Sequence, residues 1–228
     1  MEEPLVGFLL AAVAGLLNAW TIAHAQTFAT VQSGNVVSSG FYLVQGDWAK
    51  FTPAIVSILC FGIGSAVSGV LMTALLRSGK SFTPVILFGM AVLLAVLAYM
   101  AREGSVHPHT IAYAVSFAAG AMGNAFHKNH GMLYGAVAVT FVVQMAFNFL
   151  VQSVFSSRGI NGEPNLFWSG LFFLVLLGFA GGGALGFFMD LWFNGASIAL
   201  GALVTLVLAI IAVSGRTSPD PTPGGTFA

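Results

Sequence analysis

The sequence predicts an all-α polytopic membrane protein of two sequence-related repeats, with six to eight transmembrane helices, some of them interrupted. Three observations carry this. The chain has 228 residues, 57% hydrophobic and 6% charged, where soluble domains carry about a quarter charged residues. So few charges cannot cover a soluble surface and fit a chain solvated mostly by lipid. The apolar residues also fall in runs near the length that a helix needs to cross a hydrocarbon core of ~30 Å. Finally, a short polar motif occurs twice.

Eight apolar segments can be marked: 5–25, 27–45, 52–76, 83–101, 109–127, 131–155, 165–188 and 191–213. Polar punctuation separates most of them, at Gly46-Asp47 to Lys50, Arg77 to Lys80, Arg102 to Pro108 and Arg158 to Pro164, while the break near Asp190 is tight. Trp48 and Trp168 lie beside such loops, as interfacial aromatics do. The N-terminus, Met-Glu-Glu-Pro, is acidic where a secretory signal is basic, so the first run reads as a retained membrane segment. Residues 216–228, rich in Pro, Gly and Thr, read as a disordered tail. A formal net charge of zero leaves no basic footprint for nucleic acid, and the single Cys60 excludes an internal disulfide.

Asn18-Ala19 with His24 recurs 106 residues later as Asn124-Ala125 with His130, and Gly15 and Gly120 precede the two asparagines. Segments 3 and 7 are both glycine-rich. The repeats are therefore read as 1–104 and 105–215. If all eight segments cross, the repeats are parallel; if three cross in each, they are inverted, a common transporter plan. Segment 6 has the apolar length of a crossing, which favours eight. With eight crossings the N-terminal side holds Lys50, Arg102, Arg158 and Arg216; with six it holds Arg77, Lys80, Arg158 and Arg216. Both counts place the termini in the cytoplasm by the positive-inside tendency.

The stretch from Asn18 to Gly40 is unusually polar for a membrane segment. Amides and imidazoles in hydrocarbon are costly unless paired, so Asn18, His24, Gln26, Gln32 and Asn35 should face protein or a water-filled cavity. On a straight helix His24 lies about 240° round from Asn18, so one helix does not aim both at one site. Ser33-Gly34-Asn35 is a natural interruption, since Gly tolerates unusual dihedrals and Ser and Asn can bond freed backbone groups. Half-helix ends made this way suit ions or polar ligands. The blander reading is that these side chains bridge helices.

The run Gly15-Leu-Leu-Asn18-Ala19, then Phe28, then Ser33-Gly34-Asn35-Val36-Val37 and Gly40 resembles the YoaK-like bacterial membrane proteins, domain of unknown function 1275. Their first repeat resembles G-x-x-D-A followed by F…[ST]-G-N; their second resembles G-x-x-N-A, then T-G. Gly120 to Ala125 and Thr140 occupy the second pattern here. The resemblance spans about 5 to 213. It implies a polytopic inner-membrane protein, a transporter among its possible roles, with no established substrate. Two departures stand out: Asn18 replaces the usual Asp, so a carboxylate proton carrier is not carried over, and Phe141 replaces the Gly after Thr140.

Other motifs weigh less. His127 and His130 have H-x-x-H spacing, but no carboxylate or thiol accompanies them and Lys128 lies between, so no metal is assigned. Asp190 reads either as a coupling-ion site or as the cap of segment 8. Gly178, Gly182 and Gly186 form a stripe for close helix packing, within the fold or in a homo-oligomer. No P-loop and no recognisable nucleophile setting occurs, so neither a cofactor nor enzymatic activity is expected.

The residues together suggest a transporter or channel-like protein for a small polar or ionic solute, in the bacterial inner membrane, with its site near mid-membrane at the repeat interface. The candidate site residues are Asn18, His24, Gln32, Ser33, Gly34, Asn35, Asn124, His130, Thr140 and Gln144. The alternative is a non-transporting scaffold or subunit whose polar residues knit helices.

Overall fold

A computed structural model describes residues 3–126, 128–129, 132–133, 137–159, 162–215 and 220. The described helices are α1 (Pro4–Ala25), α2 (Gln32–Gln45), α3 (Trp48–Arg77), α4 (Thr83–Glu103), α5 (Pro108–Ala125), α6 (Val139–Phe155), α7 (Asn165–Asp190) and α8 (Ala196–Val213). A two-residue antiparallel pair, β1 (Lys128–Asn129) and β2 (Met132–Leu133), lies between α5 and α6. Among the described residues, α1, α3, α4, α7 and α8 are long and apolar enough to cross a membrane. Their outward faces keep large apolar side chains such as Leu59, Ile63, Val70, Val92 and Leu203 exposed. In water that surface would be a liability, whereas in lipid it is the expected solvent face.

The second and sixth apolar segments differ from their expected bounds. Segment 27–45 is helical only from Gln32, and in segment 131–155 the described helix is Val139–Phe155. The tail, apart from Asp220, lies outside the described residues, as do His127 and His130.

Close backbone approach at glycine fixes how the long helices run. α1 packs on α7 where a Cβ at Gly182 would lie 2.1 Å from the Ala12 carbonyl oxygen, and one at Gly15 would lie 2.1 Å from that of Phe179. Gly178 meets Phe8, and Gly186 meets Leu16 and Ala19. Residue numbers rise together along both helices, so α1 and α7 are parallel. The glycine stripe 178, 182 and 186 is thus covered by α1 of the same chain. α3 and α5 repeat the arrangement, with Gly64 against Phe117 and Gly120 against Phe61, each hypothetical Cβ 2.0 Å from a carbonyl oxygen. Along these two helices Ser57 lies beside Ser116, Ser68 bonds the Ala121 carbonyl and Met72 meets Asn124, so they too are parallel. α4 and α8 are antiparallel: Gly195, just before α8, packs on Ala98 and Ala101 near the end of α4.

Short turns reverse the chain between α3 and α4, α4 and α5, and α7 and α8. With α4 and α8 antiparallel, α3 runs opposite to α7 and hence opposite to α1. The end of α1 and the start of α3 are then at the same end of the bundle, and α2 must leave that end and return to it. The same relation holds between the end of α5, α6 and the start of α7.

Branched side chains at the tightest crossings should be destructive. Gly182→Val or Gly64→Val is expected to destabilise at the upper end of the about 1–3 kcal/mol typical of overpacking. Gly62→Val, at a glycine of α3 with open space beside it, should leave the melting temperature of the detergent-purified protein unchanged.

Candidate functional site

The site is built on the break between α1 and α2. α1 ends with Gln26 in the left-handed region, φ 51°, its N–H donating to the Thr21 carbonyl. A non-glycine residue in that region is uncommon and marks a sharp exit. The chain then runs back along α1 without helical bonding until Gln32. Asn18 receives it: its Oδ1 accepts from the N–H groups of Ala29 and Thr30, both at 3.0 Å. The Thr30 hydroxyl reaches the Ala14 carbonyl at 3.5 Å. Asn18 lies about 10 Å, and Ala14 about 16 Å, below the end of α1 at 1.5 Å per residue. α2 therefore begins beside the middle of α1.

Asn35, in the first turn of α2, holds the rest of the break. Its Oδ1 accepts from the Thr27 hydroxyl (3.1 Å) and the Phe28 N–H (3.2 Å). Its Nδ2 donates to the Phe28 carbonyl (2.6 Å) and Gln32 Oε1 (2.8 Å), with Ser57 Oγ at 3.1 Å. Gln32 in turn donates to the Ala29 carbonyl at 2.8 Å. Ser57 of α3 donates to the Phe28 carbonyl and lies 2.8 Å from Ser116 Oγ of α5. This network joins α1, α2, α3 and α5 at one level. Asn18 and Asn35 are both 3% exposed, so each replaces water for backbone groups that would otherwise be orphaned.

The remaining candidates separate from that network. Ser33 is exposed on the first turn of α2, and Gly34 packs on the Phe28 ring. The N-cap residue, Val31, supplies no side-chain acceptor or donor to the turn. His24 is exposed in the last turn of α1, stacked on Trp20 at 5.0 Å, and the Trp20 indole donates to Asn194 between α7 and α8. Asn124, at the end of α5, donates to Ser68 Oγ (3.5 Å) and Met72 Sδ (3.6 Å) of α3. Thr140 and Gln144 are exposed on α6. The structure thus brings Asn18, Gln32 and Asn35 together and sets His24, Asn124, Thr140 and Gln144 elsewhere. Thr27, Ser57 and Ser116 were missed from the sequence; their only signal was a hydroxyl inside an apolar run. Asp190 caps α8, bonding the Ser197 N–H (2.9 Å) and hydroxyl (2.8 Å), which is the cap reading. Among the described residues no three metal-ligating side chains cluster.

Long apolar helices, close glycine crossings and a break sealed by amides define a polytopic α-helical membrane protein. Within that class, the family model described as protein of unknown function (DUF1275) matches residues 6–212, and the chain belongs to that family. No curated protein matches the chain, and no solved structure does.

Asn18 acts through its oxygen alone among the described residues, which accounts for the Asp in the resembling motif G-x-x-D-A: either side chain supplies the acceptor. Asn18→Asp is expected to keep the fold. Asn18→Leu leaves two buried N–H groups unpaired, each costing about 1–3 kcal/mol. Thermal unfolding of the three proteins side by side checks this ordering.

Proposed function

We propose that the protein is a transporter or channel-like protein for a small polar or ionic solute, with recognition at the start of α2. The observation that carries this reading is the course of residues 26–45: the chain runs back unwound to the middle of α1 and then starts a new helix there, which is mid-depth if α1 spans the hydrocarbon core. A half-helix that begins inside the membrane aims its N-terminal dipole and first-turn N–H groups into the interior. Irregular backbone at that depth is tolerated only where it is buried in protein or lines a water-filled cavity. Ser33, exposed beside that helix start, is the side chain placed to meet a solute.

In this reading six helices cross and α2 and α6 are re-entrant, in repeats 1–104 and 105–215 of inverted topology. The crossings support it. Gly15 with Phe179 and Gly182 with Ala12 have counterparts in Gly120 with Phe61 and Gly64 with Phe117. The shifts are constant, 105 residues for 15→120 and 12→117, and 118 for 61→179 and 64→182. α6 then stands opposite α2, and its exposed Thr140 and Gln144 line the second half of the path. The six-crossing count puts Arg77, Lys80, Arg158 and Arg216 on the side of the termini, against Lys50 and Arg102. The termini are therefore assigned to the cytoplasm of a bacterial inner membrane.

The described acids, Glu3, Asp47, Glu103, Glu163, Asp190 and Asp220, all lie at helix ends or outside helices. With no described carboxylate at the depth of Ser33, helix dipole and amides set the local field. That favours a neutral polar or anionic solute over a strongly charged cation, and the reading assigns no catalysis.

A second reading, a scaffold whose polar groups only knit helices, is favoured by one observation: Asn18 and Asn35, both 3% exposed, are buried against the break whose backbone groups they bond. Different residues separate the two. A thermal-shift panel of small anions and polar metabolites should raise the apparent stability of the wild type through binding to the folded state alone. Ser33→Leu should abolish that shift without changing the unliganded melting temperature. If Ser33→Leu retains every ligand response, or the wild type shows none, the scaffold reading replaces transport.

The topology has its own test. Single cysteines at Gly79 and Ser157 should be labelled by an impermeant maleimide from the side of the termini, and those at Gly46 and Gly104 from the opposite side. An eight-crossing chain would put Gly46 on the side of the termini.

A further inference from the structure

α2 and α6 place their polar side chains in opposite ways. α2 turns Asn35 and Ser39 inward, where both are buried, and past its first turn its exposed face is Val36, Val37, Phe41 and Val44. Lipid solvates such a face without loss. α6 does the reverse. Its inner face, Val142, Ala146 and Phe149, is buried. That face packs on α7, with Phe149 against Trp168 and Phe172 and the Ser169 hydroxyl donating to the Ala146 carbonyl. Its outer face carries Thr140, Gln144, Asn148 and Gln152, all exposed.

Spaced by four, these residues form one row along the helix. Phe141, Phe147, Val151 and Phe155 are exposed beside the row, and α6 contains no Asp, Glu, Lys or Arg. The surface is thus that of a lipid-facing helix except for its amides. Gln152 donates to Asn148 Oδ1 at 3.1 Å, while Gln144 has no hydrogen-bond partner among the described residues. Each side-chain amide offers two N–H donors and an acceptor oxygen, and acyl chains answer neither. Among the described residues, the other exposed amide within a helix is Gln45, the last residue of α2. The row on α6 is therefore an exception that calls for a partner.

The chemistry of the row selects that partner. An uncharged face gives no hold on a charged headgroup or a charged peptide. Amides match amides, N–H to oxygen in both directions. Copies of one chain insert with the same orientation, so a two-fold axis between them lies along the membrane normal. Such an axis sets α6 beside α6 in parallel, and each amide meets its own counterpart at the same depth. Asn and Gln hydrogen-bond across membrane helices in this way. The glycine stripe of α7 cannot serve as the seam, because α1 of the same chain covers it.

We propose that α6 is the seam of a homodimer, with Asn148 at its centre and Gln144 and Gln152 pairing on either side. The seam stands on the exposed row alone. Thr140 and Gln144, nearest the start of α6, lie where the seam opens toward the solute path, so the second copy walls the side of that path left open in one chain; this last point rests on the transport reading.

The full chain in liposomes, with Cys60 replaced by Ser and one N-terminal fluorophore per chain, tests it. At high lipid dilution the particles should bleach mainly in two steps. Gln144→Leu combined with Asn148→Leu should weaken association at least tenfold while circular dichroism keeps the unsubstituted helix content, and Asn148→Gln should retain the dimer. Copper phenanthroline should cross-link Val151→Cys to its counterpart and leave Val92→Cys, exposed on α4, as monomer. Single-step bleaching at every protein density, an unweakened dimer in the doubly substituted chain, or a dimer that cross-links through Val92→Cys but not Val151→Cys overturns the seam. None of these readings uses a solute. A monomeric chain that still shows the Ser33-dependent thermal shift therefore removes the seam and leaves the transport reading standing.

Discussion

Two N–H groups on one amide oxygen hold the least regular part of this protein in place. A buried backbone donor needs a partner from the protein, and the stretch between α1 and α2 abandons helical bonding while largely buried. Asn18 restores the pairing for Ala29 and Thr30, and Asn35 restores it for Phe28 on both its N–H and its carbonyl. Without these acceptors the chain would have to continue as helix or leave the membrane. With them it can turn back and start a new helix in the interior. Everything proposed about function depends on that start being where it is.

The second constraint is steric. The parallel pairs α1 with α7 and α3 with α5 approach until side chains are excluded, and only glycine permits backbone carbonyls at those positions. Lipid offers no hydrophobic gain for helix association, so contact of this closeness is a main source of cohesion. The pairs also join elements far apart in sequence, and together with the antiparallel pair of α4 and α8 they set the directions of the long helices. Polar pairing lets α2 turn back, and glycine packing sets which end it turns back to.

Much of this was legible in the sequence. The long helices match apolar runs to within a few residues, because hydropathy and polar punctuation are local signals. The start of α2 was not, since Thr27 to Val31 is apolar and β-branched enough to read as membrane helix. Helix direction was not legible either, because it is settled by contacts such as Gly182 with Ala12, which hydropathy does not encode. Asn18 and Asn35 were recognisable as costly side chains that need partners. That the partners included the chain's own backbone, 11 and 12 residues after Asn18 and 7 before Asn35, required the fold. Asp220 looked like part of a featureless tail, for its partner, the Thr83 N–H, lies 137 residues upstream.

The central claim is that the first turn of α2 is deep in the membrane and open to water. A single nitroxide at position 33, in the Cys60→Ser background in bilayers, reads both properties through its relaxation by oxygen and by a water-soluble nickel complex. The account predicts a position shielded from the headgroup region yet strongly relaxed by nickel, with Val37→Cys on the same helix more relaxed by oxygen. Relaxation of position 33 by oxygen alone would mean that Ser33 faces lipid and no aqueous path reaches the start of α2.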